Sequence, residues 1–339
     1  MDKHTLIAID LAKAVFQVCA LTSTSRIAFN KQLKRRDIAA FMAKQHPTVV
    51  VMEACYSSHY WARRFQAMGH TVKLIPAQHV TPFVRGHKSD RNDALAIAEA
   101  AQRPHLSTVP VKSIEQQDIQ SLHRIRERYT ARRTGLMNQT RGLLSEYGIV
   151  APQGHQAFIH CLQSALEDGS DQLTSIITHE LRYVIDEYQW LTERIRTIEK
   201  TFVHLTQTHP LVRILISIPG IGPINATAIY SAIGNGSQFS SARDFAVWLG
   251  LTPRQSSSGL SFKSAGITKR GDRYLRKQLV HGARALLHRC TKKTDALSRW
   301  ATQLHARRGP QKAYVALAAR LARIAWILLN KQETYRVMP

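Results

Sequence analysis

Negative charge is what this chain has least of. Its 339 residues carry 23 Asp and Glu against 47 Lys and Arg, a formal net charge of +24 and a pI near 10.4. An excess of this size fits a protein built to sit on polyanions, nucleic acid first among them, better than it fits a merely basic soluble surface. Cysteine is scarce as well. Cys19, Cys55, Cys161 and Cys290 lie far apart with no CxxC, which excludes a disulfide frame or a clustered zinc site and fits reduced thiols in a cytosolic protein. Long apolar runs are missing: the best, Ile324 to Leu329, is far short of the ~20 residues a membrane helix needs. Met1-Asp2-Lys3-His4 leads straight into a strand pattern, so no signal peptide is expected. Internal repeats and low-complexity tracts are absent too.

Against that background four acids stand out: Asp10, Glu53, Asp90 and Asp93. Asp10 ends the apolar run Leu6-Ile7-Ala8-Ile9, and Glu53 ends Val49-Val50-Val51-Met52. Asp90 and Asp93 sit three apart in Lys88-Ser89-Asp90-Arg91-Asn92-Asp93, a spacing that projects both from one helix face. Singly, each reads as a cap or a helix-start acid. Together, a carboxylate at the end of each of two buried strands and a pair on a later helix can converge into one oxygen cluster. Such a cluster repels itself unless a cation neutralises it, and hard oxygen ligands favour Mg²⁺ or Mn²⁺. Two such ions about 3.5–4 Å apart are the usual device for in-line displacement at a phosphodiester.

The rest of the first hundred residues predicts an α/β layer plan. Strands are expected at 5–10, Val15 to Ala20, a short third at Ile27-Ala28-Phe29, Thr48 to Met52 and Val72 to Ile75, with helices at about 36–44 and 58–68. This order matches a ribonuclease H-like fold. From Ile114 to about Tyr147 the chain turns helical and densely basic, with Arg124, Arg126, Arg128, Arg132, Arg133 and Arg141. A second long helix, at about 172–206, spaces Ile177, Leu181, Val184, Tyr188, Leu191, Ile195, Ile198, Phe202 and Leu205 alternately four and three apart. That is a heptad seam, expected to form a coiled-coil or helical-hairpin contact. It fits packing against the first helix or pairing of subunits, with a slight preference for assembly. Ile218-Pro219-Gly220-Ile221-Gly222-Pro223 then reads as the turn of a helix-hairpin-helix, whose exposed backbone N–H groups suit a phosphate, or else as an ordinary Gly/Pro turn. Three domains are expected: an α/β catalytic domain at 1–112, a basic and coiled-coil region at 113–208, and a mostly helical domain at 209–339.

Ser256-Ser257-Ser258-Gly259 follows Gly250-Leu251-Thr252-Pro253-Arg254-Gln255 and precedes Lys263, Lys269, Arg270 and Arg273. The tract reads either as a flexible connector or as a serine nucleophile whose pentavalent phosphate is stabilised by cations.

The pattern Ile9-Asp10, Met52-Glu53-Ala54 and Lys88-Ser89-Asp90-Arg91-Asn92-Asp93-Ala94 resembles the DEDD motif of a group of bacterial insertion-sequence transposases. That group includes Piv-type invertases and recombinases guided by a bridge RNA. The second half is similar in the same order: Ser217 to Gly222, Phe245-Ala246, Gly250 to Arg254, Ser258-Gly259, Ser264 to Gly271, and Tyr274-Leu275-Arg276. The one departure noticed is Ala8, where a glycine is common. The resemblance implies a RuvC-like first domain, a coiled-coil connection, and a C-terminal transposase domain with Ser258 as nucleophile. It also implies a Mg²⁺ or Mn²⁺ site at the four acids, donor and target DNA, a structured bridge RNA, a dimer or tetramer, and a bacterial cytoplasmic location on the nucleoid. With acids and serine in separate domains, the site would be composite. Arg124, Arg128, Arg132, Arg133, Arg254, Lys269 and Arg270 are the candidate nucleic-acid contacts. Two rivals stand beside this reading. A metal-dependent junction nuclease needs the acids but no serine, and a non-catalytic nucleic-acid-binding protein leaves the acids unexplained.

Overall fold

Strands β1 (His4–Leu11) and β4 (Val49–Glu53) are apolar on both faces, and a strand of that kind has to be covered twice. The computed structural model describes residues 4–87, 89–104, 106–167, 173–258, 261–290 and 293–337, without the side chains of 256–258 and 261–264. It divides into two compact units, Met1–Ser113 and Ile114–Pro339.

In the first unit β2 (Val15–Thr22) and β3 (Ile27–Lys34) complete a meander with β1. Helix α1 (Ile38–Ala43), β4, α2 (Ser58–Gln66) and β5 (Thr71–Ile75) follow, then the single turn α3 (Ala77–Val80) and α4 (Asp90–Ala101). Among the described residues the sheet order is β3-β2-β1-β4-β5, antiparallel across β3-β2-β1 and parallel across β1-β4-β5. This is the ribonuclease H-like arrangement. Alternation of side chains along the strands sorts the core into two layers. Ile7, Ile9, Phe16, Val18, Val50 and Met52 pack with Trp61, Ala62 and Phe65 of α2. Ala8, Cys19, Leu21 and Val51 pack with Ala94, Ile97 and Ala98 of α4. The third strand is longer than expected, reaching Lys34 in register with Val15. Its polar stretch Asn30-Lys31-Gln32 conceals it from a hydrophobicity reading, yet charged residues are what an edge strand carries.

The second unit begins with α5 (Ile114–Ser145), α6 (His155–Glu167) and α7 (Ser175–Thr208), continues with α8 (Pro210–Ile216), α9 (Pro223–Ile233) and α10 (Ala242–Trp248), and forms a hairpin of β6 (Pro253–Ser258) and β7 (Ser261–Ile267). Helices α11 (Arg273–Cys290), α12 (Ala296–Arg308) and α13 (Pro310–Lys331) follow. The heptad seam of α7 is filled by the chain's own elements, which corrects the preference for assembly. Leu181 and Tyr188 pack with Met137 and Leu144 of α5 and Phe158 and Leu162 of α6. Ile198 and Phe202 enter the main core of the unit. Arg126 bonds Glu199 at 2.5 and 2.8 Å, Arg133 bonds Thr192 at 3.2 Å and Arg132 bonds Glu187 at 2.6 Å. Partners descend along α7 as they ascend along α5, so the helices run antiparallel.

His123 joins α5 to α9 and α11 from inside this unit. Thr227 Oγ1 donates to Pro223 O at 2.7 Å and so accepts from His123 Nε2 at 3.1 Å, leaving Nδ1 to accept from the Tyr274 hydroxyl at 2.9 Å. Burial, and then the charge of Arg126, push the imidazole down to about 3, which keeps it neutral. The turn between α8 and α9 lies against α11. A Cβ on Gly282 would fall 2.2 Å from Gly220 O, and Gly220 itself has φ +86°, so both positions need glycine. By length and composition α13 could cross a membrane, which corrects the expectation that no such segment exists. The sequence hid it because Arg320 and Arg323 interrupt the run. Leu317, Leu321, Ala325 and Leu329 on this helix fill the core.

Because Leu191 is fully buried inside this unit, Leu191→Ala should cost about 2–5 kcal/mol, read as a lowered urea midpoint. Leu191→Glu with Ile198→Glu should abolish the cooperative transition of the second unit rather than yield a smaller folded species. Light scattering with circular dichroism separates the two results.

Candidate active site

The alternation that sorts the core also aims the acids. Asp10 follows Ile9 on β1 and Glu53 follows Met52 on β4, so each falls on the face of Ala8 and Val51, the face covered by α4. Helix α4 approaches closely because its buried side is Ala94, Ala96, Ile97, Ala98 and Ala100. Three polar side chains fix where it starts. Ser89 Oγ caps it, accepting from Asn92 N at 3.3 Å, and Asn92 donates its side-chain amide to His87 O at 2.8 Å. Asn30 of β3 donates to Arg91 O at 3.1 Å while accepting from Gln17 of β2 at 2.6 Å. Lys88, also in this motif, lies outside the described residues. Asn92 could have been picked out as a positioning residue from its place between the two aspartates. Gln17 and Asn30 carried no such signal.

Carboxylate oxygens of Asp10, Asp90 and Asp93 lie within 4.8 Å of one another. Glu53 stands outside that triad but is coupled to it electrostatically. The Asp10 carboxyl is pushed up to about 6, first by burial and then by the charges of Asp93, Asp90 and Glu53. Burial and Asp93 raise Glu53 as well. Cys55 beside them is held up at about 11 by burial and by the charges of Glu53 and Asp10, so it is a neutral thiol. Among the described residues none of the four acids forms an ion pair. In a chain with twice as many cations as acids, leaving the most repulsive carboxylates unpaired is a physical cost, and it fits a divalent cation bound by oxygen. His59, on α2 after Glu53, is no proton carrier near neutrality. It accepts from Lys112 N at 3.2 Å, and burial plus the nearby Lys112 and Arg63 lower it to about 4.

The second unit separates residues that the sequence places side by side. Arg126, Arg132 and Arg133 hold α7, and Arg141 donates to Pro152 O and Gly154 O at 2.9 and 3.2 Å. Arg124 and Arg128 stay exposed, with Arg128 over the Tyr129 ring at 5.0 Å. The β6–β7 ladder pairs Pro253 with Ile267 at its base and Ser258 with Ser261 at its tip. Five strand residues, roughly 16 Å, therefore part Ser258 from the base of the hairpin. Lys269 and Arg270 belong to that base: Lys269 N donates to Gly250 O at 3.1 Å, and Arg276 donates to Leu249 O and Arg270 O at 2.9 and 3.0 Å. They are not gathered around Ser258 as the sequence implied, and neither is Arg254, one residue from the base. The Ser258 side chain and Gly259 lie outside the described structure.

Residues 7–149 match the transposase family of the IS110 DEDD type, and residues 212–299 match the family described as Transposase IS116/IS110/IS902. The chain belongs to the IS110-type DEDD transposases. It is 44% identical, over 97% of its length and 98% of the relative's, to a "Probable family 20 transposase" of Pseudomonas aeruginosa. It is 40% identical to the "Transposase for insertion sequence element IS1111A" of Coxiella burnetii, over 99% of this chain and 92% of that protein. The "Transposase for insertion sequence element IS1328" of Yersinia enterocolitica is 35% identical over 99% of both chains. An IS110-type transposase is an enzyme, and DNA is its substrate.

The electrostatics carry a sign that can be measured. A carboxyl raised to about 6 in the folded chain, against 3.8 for the free group, opposes folding once both states are ionised and stops doing so as pH falls through that interval. In EDTA, Asp10→Asn should therefore stabilise the protein at pH 8 by about 1 kcal/mol, discounting for the carboxyl's partial exposure. The gain should fall to a small remainder by pH 4, just above the free carboxyl's 3.8. Thermal unfolding of both proteins at the two pH values checks it.

Proposed function

We propose that this transposase excises and inserts its element as a site-specific recombinase. The observation that carries the reading is the convergence of Asp10, Asp90 and Asp93 within 4.8 Å, with Glu53 coupled to them and, among the described residues, no cationic side chain paired to any. These four residues hold Mg²⁺ or Mn²⁺, and the bound ion supplies Lewis-acid polarisation of the scissile phosphodiester. The protein's own part is to fix the carboxylates from two strand ends and one helix start on a RuvC-like frame. Ser258 is the nucleophile: its oxygen bonds to phosphorus as the bond to the leaving deoxyribose oxygen breaks, giving a phosphoserine link to DNA. The support for Ser258 is the order of motifs around it, not its surroundings. Lys269 and Arg270, held at the base of the hairpin, contact DNA backbone away from the reacting phosphate, as does Arg254.

A bridge RNA completes the reading. Its seat includes the exposed Arg124 and Arg128, with Arg132 contributing where its ion pair to Glu187 yields and Arg133 where its hydrogen bond to Thr192 yields. A-form RNA is gripped through phosphates and 2′-hydroxyls, which suits an arginine-rich helix. The antiparallel α5 and α7 form the coiled-coil connection, and the active species is a homo-oligomer.

Asp10→Asn or Glu53→Gln should abolish strand cleavage by at least a hundredfold while nonspecific DNA binding holds or tightens, since each change removes negative charge. Cleavage undiminished in EDTA would overturn the metal assignment. Ser258→Ala should lose both cleavage and the covalent protein–DNA adduct on a denaturing gel, with Ser256→Ala and Ser257→Ala mild. If Ser258→Ala cuts normally, water is the nucleophile and the junction-nuclease reading takes its place. The purified protein should carry a discrete structured RNA, and stripping it should remove site-specific recombination; full activity without RNA excludes guidance.

A further inference from the structure

The first unit carries a second feature at the edge of the sheet where β1 ends, on the face opposite the acids. The turn into β2, the end of β3 and helix α2 enclose an open groove of about 820 Å³, within the size range of ligand sites. Its chemistry comes from Lys34, Arg35, Arg36, Tyr60, Trp61 and Arg64. Four cations face it, and among the described residues the one ion pair any of them forms is that of Arg36 with Asp37, at 3.6 Å. The guanidinium carbons of Arg35 and Arg64 each lie 5.5 Å from the centre of the Trp61 ring, and Arg35 lies equally far from Phe16. Arg64 also donates to the Tyr60 hydroxyl at 3.1 Å. These contacts hold the guanidinium groups in place without using up their charge.

The deciding observation is that an open aromatic ring stands among these cations. Trp61 is 3% exposed, and its indole N–H, without a hydrogen-bond partner among the described residues, is buried too, so its ring serves to hold Arg35 and Arg64 in place. Next to it Tyr60, with its ring 5.1 Å from that of Trp61 and almost perpendicular to it, leaves 47% of its surface open. A groove that combines several cations and an open aromatic ring matches one ligand chemistry. The phosphate oxygens take the guanidinium groups, while an unstacked base lies on the tyrosine.

We infer that Lys34, Arg35, Arg36, Tyr60, Trp61 and Arg64 form a subsite for an unpaired nucleotide of a nucleic-acid strand. The inference rests on the transposase reading and deepens it. The subsite shares the sheet edge with the acids but lies on the α2 face, so it holds a strand without contributing to cleavage. A duplex would not engage it, because a paired base cannot turn onto Tyr60.

Photocrosslinking tests this on the full chain in EDTA, where no strand is cut. The probes are a 4-thiouridine RNA ten-mer, a 4-thiothymidine DNA ten-mer and the same DNA as a blunt duplex. The adduct should map by mass spectrometry to Tyr60 or Trp61 with at least one single-stranded probe, and the probe that labels identifies the strand as DNA or RNA. Lys34→Gln with Arg36→Gln, which leaves the arginines over Trp61 untouched, should cut the yield about tenfold with an unchanged melting curve. Asp10→Asn should leave it intact. Adducts confined to other segments, or a duplex that labels as well as single strands, overturn the subsite. Normal cleavage by a protein that gives no such adduct overturns it while leaving the transposase reading standing.

Discussion

The parallel pairing of β1 with β4 is the constraint on which the first unit turns. Its register, Leu6 with Val49 through Ile9 with Met52, sets Asp10 and Glu53 one step beyond the last paired apolar residues, at neighbouring strand ends. A slip of one residue would send one of them to the α2 layer, among Trp61 and Phe65, where no cation could reach it and a lone carboxylate would be costly. Everything else in the site follows from keeping that pairing. The α4 layer must be thin enough for Asp90 and Asp93 to reach the sheet, which is why its buried side is almost all alanine. The helix must start at a fixed height, which Asn30, Ser89 and Asn92 determine, with Gln17 holding Asn30.

This arrangement opposes stability. Carboxylates that raise one another's proton affinity and have no ion-pair partner among the described residues destabilise the fold at neutral pH, and the unit offsets this with two buried layers whose central residues have no exposed surface. The second unit treats its polar groups in the opposite way. His123 is neutral and satisfied at both nitrogens, and Arg126 is matched by Glu199. One unit stores electrostatic tension at a site, while the other spends its charges on holding helices together.

Much of this was legible in the sequence, for a physical reason. A charged residue directly after four apolar ones is conspicuous, and so is an aspartate pair behind a serine cap, so Asp10, Glu53, Asp90 and Asp93 could be named before any geometry. The α/β layer plan followed from the order of strand and helix patterns along the chain. What stayed hidden depended on a partner. The end of β3 is polar because it lies at an edge. A heptad seam has the same spacing whether it meets its own chain or another. Arg132 and Arg133 look like free cations until α7 is laid beside them. Ser258 is eleven residues from Lys269, which reads as proximity, but an extended hairpin turns sequence distance into length. The groove at Trp61 draws on three segments, none of which has a motif of its own.

Helix α13 follows every other element in the order of synthesis, yet Leu317, Ala318, Leu321, Ala322 and Ala325 stand at the centre of the second unit with no exposed surface. The first unit has all of its strands and both of its layers long before then, and domains fold as they emerge. A nascent chain thus spends much of its translation with the first unit able to fold and the second still lacking its keystone. A copy of the gene interrupted before α13 would yield a protein whose acids assemble but whose hairpin unit does not close.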